Sequence, residues 1–269
     1  MPDWLAVILL GIIEGLTEFL PISSTGHLLL VQNLRWLPPQ SELFNVVIQC
    51  GAVLAVLAVF WKRALELATQ WRAPMVRDSL VKLAVAFLVT GVGGLALKKA
   101  GFTLPKTIAP IAWATLVGGG VILLIEFLKK GRPGTDYVSW PVALTVGLAQ
   151  VLAAGCPGTS RSGAAILFAM VIGLSRPKAT EFAFLVGIPT MFAAGGYEIW
   201  HELRHATPGG VVTSPALVAL GTLVSAIAAF LVVKWLLRFV QTHTFNGFGW
   251  YRIALGLAML WLVWQGGQP

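Results

Sequence analysis

Charge is what this sequence has least of. Only 11% of its 269 residues are Asp, Glu, Lys or Arg, against 57% hydrophobic residues and a mean hydropathy of +0.81. That balance excludes a soluble protein of ordinary composition and fits a chain that crosses a bilayer several times. Cysteine is nearly absent too. Cys50 and Cys156 both lie in apolar surroundings without zinc-type spacing, so buried structural thiols are expected rather than a disulfide framework or a metal cluster. Asp3 stands where a leader peptide would carry basic residues, and no small-residue cleavage site follows the first apolar run, so no cleavable signal peptide is expected. The net charge of +8 does not point to nucleic acid, because Lys and Arg lie mainly in short loops between apolar runs, where they set orientation.

What is there is apolar length. Runs at 43–61, 81–97, 108–128, 181–199, 214–233 and 248–265 each approach the ~20 residues needed to cross a hydrocarbon core, giving six spans. Two further stretches, 4–34 and 141–174, are too long for one crossing and too short for two. Each is broken near its middle by polar, Pro-containing sequence and reads as a re-entrant helix-loop-helix element. Irregular backbone at that depth is tolerated only inside protein or beside a wet cavity, so a cavity is implied. With the N-terminus outside, eleven Lys/Arg fall in inside loops and five outside, namely Arg35, Lys98, Lys99, Lys106 and Arg204. This orientation opens the first re-entrant element outward.

The two halves repeat. A shift of 136 lays Gly11-Ile-Ile-Glu14 on Gly147-Leu-Ala-Gln150, Pro21 on Pro157 and Ser24 on Ser160. Each half then holds one re-entrant element and three spans, and an odd number of crossings inverts the second half. The reading is a single all-α membrane domain over 1–269, built from inverted repeats of about 1–136 and 137–269.

Such folds place their site near the midplane, between half-helix ends. Glu14 and Glu18 share one helix face and sit at membrane depth, where ionisable groups are costly and signal function. The first broken loop adds Ser23, Ser24, Thr25 and His27; the second adds Ser160, Arg161 and Ser162. Exposed helix N-termini, an arginine fork and several hydroxyls together suit phosphate. With carboxylates and an imidazole beside them, binding extends to phosphoryl transfer: a hydroxyl or imidazole attacks phosphorus, Glu takes the proton and Arg offsets the charge. Singly, each residue could be a packing hydroxyl, a cap or a buried pair; their convergence at membrane depth favours chemistry.

Glu14-Gly-Leu-Thr-Glu-Phe-Leu-Pro-Ile-Ser-Ser-Thr-Gly-His27 and Pro157-Gly-Thr-Ser-Arg-Ser-Gly163, with Phe44-Asn-Val-Val-Ile-Gln49, resemble the motifs of the bacterial undecaprenyl-diphosphate phosphatases, and the resemblance runs along essentially the whole chain. It implies an inner-membrane enzyme that removes the terminal phosphate of undecaprenyl diphosphate on the outer, periplasmic side. This recycles the lipid carrier for peptidoglycan synthesis and is associated with bacitracin resistance. Carried over by position, Glu14, Glu18, Ser24, His27 and Arg161 are the catalytic set, with Ser24 the favoured nucleophile, Glu18 its activator and His27 its acid-base partner. Ser23, Thr25, Ser160, Arg161 and Ser162 would bind phosphate, and Glu14 and Glu18 would hold a divalent cation, Mg or Ca. The expected company is the lipid substrate, membrane lipid and a homodimer partner. Asn45 departs from the family, which has Glu there, and Cys156 replaces a bulkier residue.

Other readings are weaker. His201-Glu-Leu-Arg-His205 fits a zinc-protease pattern but sits at a span end, with no Asp or Glu after Glu202 to complete a site and His243 on the other side of the membrane. Cys156 and Arg161 are separated by four residues where cysteine phosphatases have five. A lipid-phosphate carrier on the same inverted-repeat scaffold is the main alternative, because fold alone does not separate transport from cleavage.

Overall fold

The computed structural model describes residues 1–34, 36–38, 40–102, 107–132, 134–205 and 213–266, with the backbone alone for 32, 33, 42, 202, 203 and 205. Arg35 and Lys106 of the outer basic set lie outside the described residues, as do the side chains of Glu202 and His205 in the zinc-like pattern. The described residues are mostly helical: α1 (Asp3–Thr17), α2 (Ser24–Asn33), α3 (Glu42–Val59), α4 (Trp61–Thr69), α5 (Pro74–Lys99), α6 (Ile108–Leu128), α7 (Trp140–Gly155), α8 (Arg161–Val171), α9 (Arg176–His205), α10 (Pro215–Thr242) and α11 (Asn246–Trp264). Among the described residues the sole β pairing is an isolated bridge between Thr135 and Leu174.

Among the described residues five helices are long and apolar enough to cross a membrane: α5, α6, α9 from Arg176 to His201, α10 and α11. A sixth candidate span is a bent pair, with α3 from Leu43 and α4 meeting at 72°. The hydropathy run had ended at residue 61. The chain instead turns at Phe60 and continues as a helix whose Trp61 and Lys62 suit a membrane surface, the Lys62 ammonium lying 5.8 Å from the Trp61 ring. This is a multi-pass membrane protein.

The remaining apolar helices are short and pair around breaks. α1 and α2 flank residues 18–23, and α7 and α8 flank 156–160. α1 packs on α10 by glycine: a Cβ on Gly15 would stand 2.4 Å from the Ser225 carbonyl oxygen, and one on Gly11 2.6 Å from that of Gly221. α7 packs on α5 the same way at Gly147, 2.8 Å from the Ala86 oxygen. Small residues let helix backbones approach where apolar burial gives no drive of its own. Gly15→Ala is therefore expected to lower stability. Helix propensity gains about 1 kcal/mol, overpacking costs about 1–3 kcal/mol, and a backbone carbonyl has little freedom to give way. A fall of a few degrees in the detergent melting temperature is expected, with none for Gly94→Ala, whose Cβ meets nothing within 4 Å.

α5 begins at Pro74, not at residue 81 where hydropathy starts the span. Pro suits the first turn, and the charged residues there are accommodated: Lys82 is fully buried, donating to Asp78 Oδ2 at 2.5 Å and to the Tyr137 hydroxyl at 3.0 Å. A buried carboxylate, Glu126, ties three helices together. It accepts two bonds from Arg176, at 2.9 and 2.6 Å, and one from the Phe245 N–H at 2.8 Å.

Candidate active site

The two breaks are built alike. Ser23 and Ser160 are the described non-glycine residues with positive φ, 72° and 69°, a conformation L-residues adopt at a cost and which clusters at functional sites. Each serine caps the helix that follows. Ser23 Oγ accepts from the Gly26 N–H at 3.3 Å, and Ser160 Oγ from the Gly163 N–H at 3.2 Å. The hydroxyls expected to bind phosphate therefore have structural work in this state. Ser162 Oγ likewise donates to the carbonyls of Glu18 and Leu20, both at 3.1 Å, joining the second loop to the first. Thr25 is exposed.

The geometry pairs Ser23, not Ser24, with Ser160. One more residue separates Pro157 from its strained serine than separates Pro21 from its own, so the register of the sequence match slips inside the loop. Ser24 thus corresponds to Arg161, each opening its half-helix.

Ser24 is the hydroxyl bonded to a carboxylate. Its Oγ donates to Glu18 Oε2 at 2.5 Å, and both residues are buried. Glu14, one turn earlier and wholly buried, has both carboxylate oxygens without a hydrogen-bond partner, with Glu18 close enough to share a proton and Arg161 the nearby cation. Two carboxylates this close, away from water, call for a proton or cation between them. His27 is held elsewhere. Its Nδ1 faces the Ser23 carbonyl at 2.7 Å and its Nε2 the Tyr251 hydroxyl at 2.7 Å. A carbonyl only accepts, so Nδ1 carries the hydrogen and neutral Nε2 accepts from Tyr251.

Two arginines sit at this junction with opposite fates. Arg161 makes no hydrogen bond or ion pair with any described residue and lines a narrow cleft with Glu18, Phe19, Gln150, Ser162 and Phe184. Its donors are free. Arg252, 1% exposed, spends its fork on five carbonyls: Thr115, Ala114, Pro21, Thr159 and Gly158, at 2.8–3.2 Å. It staples both loops to α6. Gly118 makes room for it, since a Cβ there would lie 2.1 Å from Nη2. Sequence reasoning passed over Arg252 and Tyr251. A lone arginine inside the last apolar run, facing Gly118-Gly-Gly120 in another, was the available signal for the former; nothing comparable marked Tyr251.

Arg252→Met is expected to cost about 3–5 kcal/mol, because it orphans several buried carbonyls at once. A lowered melting temperature in detergent checks this, and Arg252→Lys should recover only part of it, three donors replacing a five-bonded fork.

A larger cleft, about 680 Å³, lies away from this junction. Its cations Arg63, Lys82 and Lys178 are each ion-paired, to Glu66, Asp78 and Glu181. We give the smaller cleft the chemistry because its arginine is unengaged.

The sequence matches the family described as bacitracin resistance protein BacA over residues 7–258. It is 48% identical over 265 residues to the undecaprenyl-diphosphatase of Rhizobium etli, covering 98% of each chain. It is also 49% identical over 270 residues to that of Xylella fastidiosa, covering 98% of this chain and 100% of the relative. The corresponding protein of Xanthomonas oryzae pv. oryzae is 50% identical over 265 residues, 97% of this chain and 98% of its own. A match along nearly the whole chain, through both broken loops, places this protein: it belongs to the bacitracin resistance protein BacA family.

Proposed function

We propose that this protein hydrolyses undecaprenyl diphosphate to undecaprenyl phosphate and inorganic phosphate. It is an undecaprenyl-diphosphatase, a membrane hydrolase that returns the lipid carrier to cell-wall synthesis and whose action underlies bacitracin resistance. The observation that carries the site is the Ser24–Glu18 hydrogen bond at 2.5 Å beside the unengaged Arg161. A nucleophile bonded to its base, next to a free guanidinium, is the arrangement phosphoryl transfer requires.

In this reading Ser24 Oγ attacks the terminal phosphorus as Glu18 accepts its proton. The bond from phosphorus to the bridging oxygen breaks, and undecaprenyl phosphate leaves. Arg161 holds the equatorial oxygens throughout, and the first-turn N–H groups of α2 and α8 favour the same negative charge. Glu18 passes the Ser24 proton to the departing undecaprenyl phosphate and is again a carboxylate. It then takes a proton from the water that attacks the phosphoserine phosphorus and returns it to Ser24 Oγ as inorganic phosphate leaves. His27, tied to Ser23 and Tyr251, orients the loop rather than attacking. All these groups come from one chain, so the chemistry requires no homodimer.

The carboxylate pair fits a divalent cation such as Mg or Ca, because the Glu14 oxygens are buried, unpartnered and beside Glu18. Among the described residues no cluster of three or more His, Cys, Asp or Glu could hold a metal by itself. The two carboxylates would hold it, with water and phosphate oxygens completing the ligand set as is usual for magnesium. When bound, it supplies neutralisation of the diphosphate charge.

The halves are read as inverted repeats, a view supported by the matched caps and positive φ of the two breaks. The excess of Lys and Arg in the loops assigned to the inside supports a bacterial inner-membrane orientation in which the site opens outward. Purified protein in detergent should release phosphate from undecaprenyl diphosphate and lose that activity in chelator, recovering with added Mg or Ca. Folded protein that releases none would overturn the reading.

A further inference from the structure

We infer that Gln150 is a direct contact of the substrate's terminal phosphate, its carboxamide N–H donating to a phosphate oxygen beside Arg161; this rests on the hydrolase reading above. Gln150 lies on α7 and is 2% exposed. Its Oε1 is buried without a hydrogen bond, and its side chain makes none with any described residue. Buried amides are almost always bonded, so one that is not marks a ligand position or a cost without return.

The surroundings point to the ligand. Gln150 lines the same cleft as Glu18, Arg161 and Ser162. Two side chains with unused N–H donors, Arg161 and Gln150, therefore meet beside the nucleophile's base. Spare donors converging on one small space call for an oxyanion. The neighbours of Gln150 one turn back and one residue back, Val146 and Ala149, are buried and apolar, so packing alone would be served as well by Leu. The sequence match lays Gln150 on Glu14, the orphaned carboxylate of the first half. A carboxylate at 150 would pair with Arg161 and repel phosphate, whereas a neutral amide leaves Arg161 free and adds a donor. A functional amide and a structural one also differ in stability: removing an unsatisfied buried polar group stabilises the empty protein, while removing a satisfied one destabilises it.

The test compares wild type, Gln150→Leu and Gln150→Glu, purified in detergent. Melting temperature is measured without ligand, and KM and kcat for phosphate release are measured with undecaprenyl diphosphate. For Gln150→Leu we expect a ligand-free melting temperature at or above wild type, with KM raised about tenfold or more by loss of one bond to a charged oxygen. Gln150→Glu should raise KM at least as far. A melting temperature several degrees lower in Gln150→Leu, with unchanged KM, would overturn the inference by making the amide structural. Wild-type KM in Gln150→Glu would overturn it too, because the N–H would then be dispensable. If wild type itself releases no phosphate, the underlying hydrolase reading fails, a result distinct from any difference among variants.

Discussion

Glu18→Gln is expected to lower kcat for phosphate release by about 10²–10⁴-fold, the range ascribed to a positioned general base. The carboxylate that accepts the Ser24 hydroxyl proton at 2.5 Å becomes an amide of the same shape. Ser24 keeps a hydrogen-bond partner, so the loop keeps its structure, but the proton has nowhere to go as the oxygen attacks. Because the substitution is nearly isosteric at a residue 8% exposed, the melting temperature should hold within a few degrees. A large loss of kcat in a folded protein separates catalysis from packing. Ser24→Ala should lose as much, and the double variant little more, since the two residues act as one unit.

Arg161→Ala is expected to be the second severe loss, about 10²–10⁴-fold in kcat/KM, in line with removing preorganised charge from a developing phosphoryl anion. The reasoning turns on what Arg161 does not touch. Arg252 is bound up in five carbonyl contacts and its loss should appear as instability. Arg161 has no hydrogen bond or ion pair among the described residues to lose, so its removal should leave melting unchanged or improved. Arg161→Lys keeps the charge without the fork and should recover only part of the activity. Parallel melting curves of Arg161→Ala and Arg252→Met thus separate a ligand-facing arginine from a structural one at the same junction.

Much of this architecture was legible because bilayer physics is blunt. Apolar runs near twenty residues gave five of the spans, and Pro-containing polar breaks marked both short-helix pairs. The α3–α4 bend was not legible: periodicity carries no sign of a 72° turn, and an interfacial Trp-Lys pair also suits a simple span end. The start of α5 was missed because hydropathy counts Lys82 as a cost, whereas Asp78 and Tyr137 satisfy it.

At the site, the cost of charge at membrane depth found Glu14, Glu18 and Arg161, and the structure brings these together with Ser24. The same rule applied to 248–265 would have found Arg252. Sequence could not separate hydroxyls that cap from the one proposed to attack. Ser23, Ser160 and Ser162 look as reactive as Ser24 in one dimension; in three, positive φ and accepted N–H groups set Ser23 and Ser160 apart, and bonds to the Glu18 and Leu20 carbonyls set Ser162 apart. Nor could it tell that both ring nitrogens of His27 are engaged, by Ser23 and by a tyrosine 224 positions away.

The central claim is that Ser24, and not His27, takes the phosphoryl group from undecaprenyl diphosphate. The most direct measurement is an acid quench of wild-type protein in the first turnover with substrate labelled in its terminal phosphate, followed by peptide mapping. The account predicts an acid-stable phosphoserine at Ser24 that is absent in Ser24→Ala and Glu18→Gln. Acid-labile label at His27, or full turnover by Ser24→Ala, would contradict it.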